Sequence, residues 1–547
     1  MGWSKIVPIT GLSAFSWISV WRFCRSHDLN SHQMHLNKKH TKGRESIVRK
    51  FHSVIASNWF VILQSLAGCL IFISSGLAHA DEVDDFIRAE MTTRKLPGLQ
   101  LAIVRDSEII KVASYGLANI EDAVAVDDDT LFSINSITKA FAGVAVMQLV
   151  EQGKLDLSAS ISTYLPNLPA AWQGLNIKQL MSHTSGLPAI LAPSDTVKMI
   201  SDEGADASWA MVQTLPNEFA AGSRFKYNQT NYVLTGQIIE RVSGQSFAEF
   251  VIGNQLRRVG MKRTEEAGFS NLNDVIPHSA RRYTYYYGEE LANIRAAIFP
   301  PLLYPAAGMS STATEMASWL ISLQTGELLT EPSSLKALWT PALLDNGQTQ
   351  GFNDLLNGYA LGWPVVVRDE HPALGPEGGN RAAFFVYPQD DMSIVVLTNL
   401  MGAVPSQFID DIAGLYIPEM RKENGFGLSP PVKVLWRELE VKGYDRAVEV
   451  AESIQEARDI QFEEADINRW GYSLVAQERL QPAFHVFLLN THLFPDSANT
   501  YDSLAEAHWR LGHIDEAIAG YGKVLEMQPD NEYAANQLAK LRSMGSE

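Results

Sequence analysis

Cysteine is almost missing from this 547-residue chain, and both copies, Cys24 and Cys69, fall within the first 80 residues. The rest of the sequence therefore holds no disulfide framework, no thiolate metal site and no cysteine nucleophile. Other signatures are missing too. No H-E-x-x-H pattern and no run of clustered His, Asp and Glu marks a metal site, so neither metal nor other cofactor is expected. No serine sits in G-x-S-x-G, the pattern that exposes a serine at a sharp strand-to-helix turn. Positive charge is scarce after residue 80. Residues 1–80 carry nine Lys/Arg against two Asp/Glu, whereas the remainder carries 35 against 60, a net of −25. A body this acidic repels phosphate backbones, which argues against nucleic acid as a partner.

What the first 80 residues do contain is ordered. The basic stretch KKHTKGRESIVRK at 38–50 precedes the apolar run WFVILQSLAGCLIFISSGL at 59–77. AHA at 78–80 follows, and then the acidic DEVDD. Basic region, apolar region and small–x–small are the parts of a cleaved export signal, with cleavage expected after Ala80 and a periplasmic destination. Two alternatives stay open: a lipoprotein-type box at LAGC (66–69), and an uncleaved run long enough to anchor the chain in a bilayer. Membrane contact is expected only if the leader stays uncleaved. Met34 is a candidate start of translation.

Beyond the leader, 46% apolar content provides ample core material for a globular body, and the length sets a soft prior of about three or four domains. Residues 98–119 and 381–399 each alternate apolar and polar residues around a polar turn, RDSE and PQDD, and read as hairpins. Strands at both ends of a helix-rich region predict an α/β or α+β domain, with the sheet assignment of the two hairpins left open. Residues 137–152 carry Phe141, Val144, Ala145, Leu149 and Val150 at helical spacing, and Gly153 stands at the stop.

After NGFGLSPP (424–431) charged helical patterns run to the end. Pro495 and Pro529, Ala483 and Ala517, and Phe487 and Tyr521 are each separated by 34 residues, with Gly512 at a helix–helix turn. This period resembles the tetratricopeptide repeat, with units at 464–497 and 498–531 and a degenerate helical pair at 433–457. A peptide-binding groove and a helical cap on the body are both compatible with it. The expected division is leader 1–80, main domain 81–420, linker 421–432 and helical region 433–547.

The pattern S-x-x-K occurs at Ser136–Lys139, Ser223–Lys226 and Ser333–Lys336. Only the first opens a largely apolar helix. A serine hydroxyl needs something to take its proton, and a lysine kept neutral by burial can do so. Lys139 lies one helical turn from Ser136, on the same face, and the helix N-terminus favours negative charge developing at the serine.

The residues around this dyad carry a resemblance. FSINSITKAFAGVAVMQLVEQGKLDLSASISTYLP (132–166), LMSHTSGLP (180–188), AGSRFKYNQTNYVLTGQIIERVSG (221–244), AAGMSSTATEMASWL (306–320) and YALGW (359–363) resemble successive blocks of the serine β-lactamase superfamily. The likeness is to its class C, esterase and D-alanyl-D-alanine peptidase-like branch. It implies an antiparallel sheet flanked by helices, with an all-helical subdomain and the site at their junction. It also implies that Ser136 is the acylated nucleophile, Lys139 helps deprotonate it, and Tyr227 shuttles the proton. A lysine ammonium beside Tyr227 would lower the phenol pKa.

Two departures from the family pattern matter. Y-x-N reads Tyr227–Asn228–Gln229 here, so Gln229 is the expected substrate-binding amide and Asn228 the alternative. The K-T-G or H-x-G triplet becomes Pro376–Glu377–Gly378 within GPEGGNRAAFFVYP (375–388). The usual cation is absent and an acid has been added, with Arg381 as a possible replacement charge. Gly378 keeps its place, and Gly379 is the candidate second backbone donor to the oxyanion, partnering Ser136. His183 in HTSGL reads as a structural signature.

The expectation is an exported hydrolase acting on a small-molecule or peptide acyl substrate: an ester, an amide or a D-amino-acid peptide. The competing readings are a β-lactamase or D-alanyl-D-alanine carboxypeptidase, and a degenerate scaffold that binds a protein partner through its helical region.

Overall fold

The computed structural model describes residues 82–544 apart from 193–197, 272–273 and 295–298. The leader, its cleavage site and its start codon lie outside the described residues. Among the described residues no helix is long and apolar enough to cross a membrane.

The frame of the body is a nine-stranded sheet. Its strands are β1 (Gly98–Arg105), β2 (Glu108–Asn119), β3 (Val124–Ala125), β4 (Gly358–Tyr359) and β5 (Pro364–Val366). They continue as β6 (Ala373–Leu374), β7 (Glu377–Gly378), β8 (Ala382–Tyr387) and β9 (Met392–Thr398). The order is β3-β2-β1-β9-β8-β6-β5-β4, with β7 alongside β8. Both expected hairpins form, and they belong to one sheet: β1 runs antiparallel to β9 from Leu99 opposite Thr398 to Arg105 opposite Met392. The first hairpin turns through Asp106 and Ser107, both with positive φ (52° and 62°). Two such residues match the right-handed twist of the strands they join.

Apolar–polar alternation belongs to β2, whose burial alternates. β1, β8 and β9 are buried almost throughout because layers cover both faces. Leu99, Leu101, Ile103, Phe385, Ile394 and Val396 point into one core, and Ala102, Val104, Phe384, Val395 and Leu397 into the other. This is the period-2 geometry of a strand between two hydrophobic layers.

The second of these cores holds helix α1 (Thr138–Glu151), buried at every position from Thr138 to Leu149. A helix apolar all round belongs in an interior. Helices α2 (Gln229–Ser243) and α3 (Ala313–Gln324) pack in the same core. The YALGW block meets α1 closely. Gly362 has φ +90°, and a Cβ there would stand 2.4 Å from the Lys139 carbonyl oxygen.

The C-terminal region is all helical: α4 (Pro430–Lys442), α5 (Ala447–Arg458), α6 (Glu464–Ala476), α7 (Leu480–Leu493), α8 (Ala498–Arg510), α9 (Ile514–Met527) and α10 (Glu532–Met544). Helices α6, α8 and α10 begin at equal steps, in phase with the period read from the sequence. Its apolar clusters are separate from the two that line the sheet.

Candidate active site

Ser136 sits in a short 3-10 turn, Asn135–Ile137, that runs directly into α1. Asn135 before it adopts φ +46°. Asparagine tolerates this left-handed region better than most residues. Local bonds hold the turn: Ser133 Oγ donates to Asn135 Oδ1, and Asn135 Nδ2 to the Ser133 carbonyl, each at 3.2 Å. The segment is also stitched to the AAGMSS block, since Phe132–Ser133 pairs with Ser310–Ser311 and the Ile134 N–H donates to the Met309 carbonyl at 3.0 Å.

Lys139 is 1% exposed, and its Nζ lies 3.4 Å from Ser136 Oγ. The same Nζ donates to the Ala306 carbonyl at 2.7 Å, which fixes the amine in place. Burial pushes Lys139 well below the usual lysine range. A neutral amine beside a serine hydroxyl is the state that can take its proton.

Tyr227 completes the group. Lys139 Nζ stands 4.8 Å from its ring centroid. Burial pushes the phenol up to about 12, hydrogen bonding with Ser136 and Gln229 opposes the shift, and the Glu377 carboxylate reinforces it. The expectation that a lysine ammonium lowers the Tyr227 pKa is thereby corrected. Desolvation acts on both groups and favours the neutral form of each. Gln229 lies beside Tyr227 with its Oε1 buried and without a partner among the described residues. Asn228, the alternative amide, is turned away: its Nδ2 donates to the Leu187 carbonyl at 2.6 Å, and its Oδ1 caps α2 by accepting from the Thr230 N–H at 2.9 Å.

His183 is fully buried with φ +58°. Its Nδ1 is 3.2 Å from the Asn228 N–H and 3.0 Å from Asn231 Nδ2. A nitrogen facing two donors must accept, so the ring is the Nε2–H tautomer. Burial, aided by Lys139, pushes its pKa well down. The ring packs against Tyr227 at 4.4 Å and Tyr359 at 4.8 Å. His183 thus braces the tyrosine, and among the described residues its hydrogen bonds go to Asn228 and Asn231.

The strand facing the serine is β7. A Cβ on Gly378 would fall 1.9 Å from the Ile134 carbonyl oxygen and 3.2 Å from the Ser136 nitrogen. Gly379, φ +57°, lines the same cavity as Ser136. The Ser136 and Gly379 backbones therefore border one space in which an oxyanion can form. Arg381 does not enter that space. It is 3% exposed, its Nε and Nη1 find no partner among the described residues, and it stands behind Gly379. Burial, with Arg282 nearby, pushes it down to about 9.

The cavity has a volume of about 730 Å³ and is lined by Ser136, Tyr227, Glu377, Gly379 and Asn380, with one wall from Phe352–Leu356 and another from Val404, Ser406 and Gln407. Those two walls carry no signal in the sequence. Asn231 and Ala306 were also missed, although both fall inside recognised blocks. The rival S-x-x-K matches lie elsewhere: Ser223 donates to the Ala220 carbonyl, Lys226 pairs with Glu218, and Ser333 and Lys336 sit on a separate helix.

Comparison with known proteins agrees with this geometry. The family profile described as Beta-lactamase matches residues 83–417. Protein flp of Staphylococcus aureus (strain MW2) is 26% identical over 327 residues, which is 58% of this chain and 63% of that protein. Penicillin-binding protein 4* of Bacillus subtilis (strain 168) is 25% identical over 292 residues, covering 50% of this chain and 60% of its own length. The chain thus spans less than two thirds of the length of these relatives. Among solved structures, the hydrolase EstCE1, described as having promiscuous acyltransferase activity, superposes with a TM-score of 0.53 at 21% identity, over 62% of this chain and all of that one. The octameric penicillin-binding protein homologue from Pyrococcus abyssi gives 0.51 at 22% identity, over 66% of this chain and 81% of that one. Both share the fold. With its S-x-x-K serine, buried lysine and facing tyrosine in one cavity, the chain belongs to the beta-lactamase family of serine hydrolases.

Proposed function

We propose that this protein is an exported serine hydrolase that cleaves an ester, amide or D-amino-acid peptide bond through an acyl-enzyme on Ser136. One observation carries the reading: Lys139 Nζ, fully buried and anchored on the Ala306 carbonyl, faces Ser136 Oγ with Tyr227 alongside. In the first half-reaction the neutral amine takes the serine proton as Oγ attacks the substrate carbonyl. The backbone N–H groups of Ser136 and Gly379 receive the oxyanion, and the Tyr227 phenol relays a proton to the leaving group. Water then repeats the sequence in reverse roles and frees the acid.

Within that class, the Pro376–Glu377–Gly378 triplet speaks against substrates that must present a carboxylate, because no cation from it faces the cavity. This favours ester or amide substrates over C-terminal D-alanyl peptides and over β-lactams, the class to which the name Penicillin-binding protein 4* points. The test is a fluorophosphonate probe with a panel of chromogenic esters, D-alanyl peptides, nitrocefin and a labelled penicillin. The expected result is a Ser136 adduct by mass spectrometry, turnover of esters or amides, and loss of both in Ser136→Ala. An unmodified Ser136 with no turnover of any compound would sink the reading. A penicillin adduct on Ser136 with nitrocefin turnover would move it to the β-lactamase branch.

A further inference from the structure

The cavity at Ser136 has a charge pattern that the family resemblance does not supply. Its ionisable wall groups, apart from Tyr227, are the Glu377 and Asp354 carboxylates, and no Lys, Arg or His is among its lining residues. Glu377 on β7 and Gly379 in the turn that follows it both line this cavity, so the carboxylate and the candidate oxyanion donor border the same space. Lys139 is buried behind Ser136 and Arg381 is enclosed behind Gly379, and neither is among the lining residues. Glu377 is itself mostly enclosed. Its Oε2 accepts from Ser406 Oγ, and burial pushes the carboxyl up while that hydroxyl holds it back. The Ser406 bond occupies one oxygen and orients the other. Gln229 Oε1, beside Tyr227, is a further buried acceptor with no donor among the described residues. The site therefore offers hydrogen-bond acceptors and a carboxylate beside the nucleophile, and among the described residues no cationic side chain lines it.

Resting on the hydrolase reading above, we propose that the substrate carries a protonated amine close to its scissile carbonyl, as a free aminoacyl ester or amide does, and that Glu377 is the group that selects it. An ammonium supplies three donors to the carboxylate, and its charge restores the ionised form of Glu377 that burial disfavours. A substrate carboxylate in the same place meets like charge. Asp354, exposed at the rim, attracts the same cation from outside.

The test compares benzyl esters of D- and L-alanine that carry a free amine with the N-acetyl and N-succinyl versions. These present positive, neutral and negative charge on one acyl frame, and kcat/KM is read from benzyl alcohol release. The expected order is free amine above N-acetyl above N-succinyl, with about tenfold to hundredfold between the first two. In Glu377→Gln the ratio of free-amine to N-acetyl turnover falls towards one, and melting curves establish that the variant is folded. Should that variant not fold, Asp354→Asn replaces it, and a smaller fall in the same ratio is expected. Equal or faster cleavage of the N-acetyl or N-succinyl ester by wild type, or a ratio untouched by the substitutions, overturns the inference and leaves the hydrolase reading standing. If no ester is cleaved and the fluorophosphonate leaves Ser136 unmodified, the hydrolase reading itself fails, and the selection argument falls with it.

Discussion

Gly378 and Ile134 touch so closely that a Cβ on the glycine would sit 1.9 Å from the Ile134 carbonyl oxygen. Backbone cannot yield at that distance without moving a strand. Gly378→Ala therefore pushes β7 away from the Ser136 turn and separates the two candidate oxyanion donors. Loss of one such donor costs on the order of a hundredfold to a thousandfold in turnover. The expected result is a fall of that size in kcat on the best ester found, with Ser136 still able to react with a fluorophosphonate, though more slowly. Unchanged kcat would show that β7 does not form the oxyanion site.

The dyad makes a prediction in pH. Lys139 accepts a proton only as a neutral amine, and burial places its folded pKa below 10.5. Activity should therefore rise with pH through that lowered value. The linkage to stability has the same sign. Between the folded value and 10.5 the unfolded chain binds a proton that the native state refuses, so stability rises with pH across that window. Below the folded value the penalty for burying the charge applies in full. Lys139→Met should then be inactive yet more stable than wild type at neutral pH by about 1–3 kcal/mol, with the gap closing towards pH 10.5. Urea titrations at a series of pH values read it directly, and a variant less stable than wild type at every pH would contradict it.

How much of this was readable beforehand divides by the range of the contacts. The two hairpins, α1 and the S-x-x-K placement follow from local pattern, because strand period, turn residues and helix period are written within a dozen residues. That β1 and β9 pair across the whole domain is set by two-sided burial, which appears in the sequence only as continuous apolar runs. At the site, Ser136, Lys139, Tyr227, Gln229 and Gly379 lie together at or beside the cavity. Asn228 does not join them, because its amide serves α2 as a cap. The direction of the Tyr227 shift was also misjudged. A sequence shows a lysine near a tyrosine but does not show that both are desolvated. Arg381 looked available from its strand position, and only the packing behind Gly379 removes it.

His183 carries a structural prediction that separates bracing from relay chemistry. Its Nδ1 answers two donors, the Asn228 N–H and Asn231 Nδ2, inside a fully buried pocket. Removing the ring strands both donors and opens a cavity beneath Tyr227. Stranded buried donors cost about 1–3 kcal/mol each, so His183→Ala should lose roughly 2–5 kcal/mol in a denaturant titration. His183→Asn, which keeps an acceptor near Nδ1, should recover part of that loss and part of the activity together. Full activity loss in His183→Asn with native stability would instead assign the histidine to the proton path.

The helical region tests whether the two halves of the chain unfold as one. A Cβ on Gly471 would meet Phe487 Cε1 at 2.4 Å, and one on Gly520 would meet the Ala505 Cβ at 2.7 Å. Each small residue lets consecutive helices approach, α6 to α7 and α8 to α9. Gly520→Leu forces α8 and α9 apart at a cost of about 1–3 kcal/mol or more. The terminal cluster around Ala505, Ala517, Tyr521 and Val524 shares no residue with the cores that line the sheet. Loss of packing there should stay local, as in other stacked helical pairs where each unit leans on its neighbours. Limited proteolysis of Gly520→Leu should therefore cut first between residues 498 and 544, while the rate of Ser136 labelling by a fluorophosphonate matches wild type. A matching fall in labelling would mean that the terminal helices hold the catalytic body in shape, and that the region works as a brace for the hydrolase instead of a separate arm.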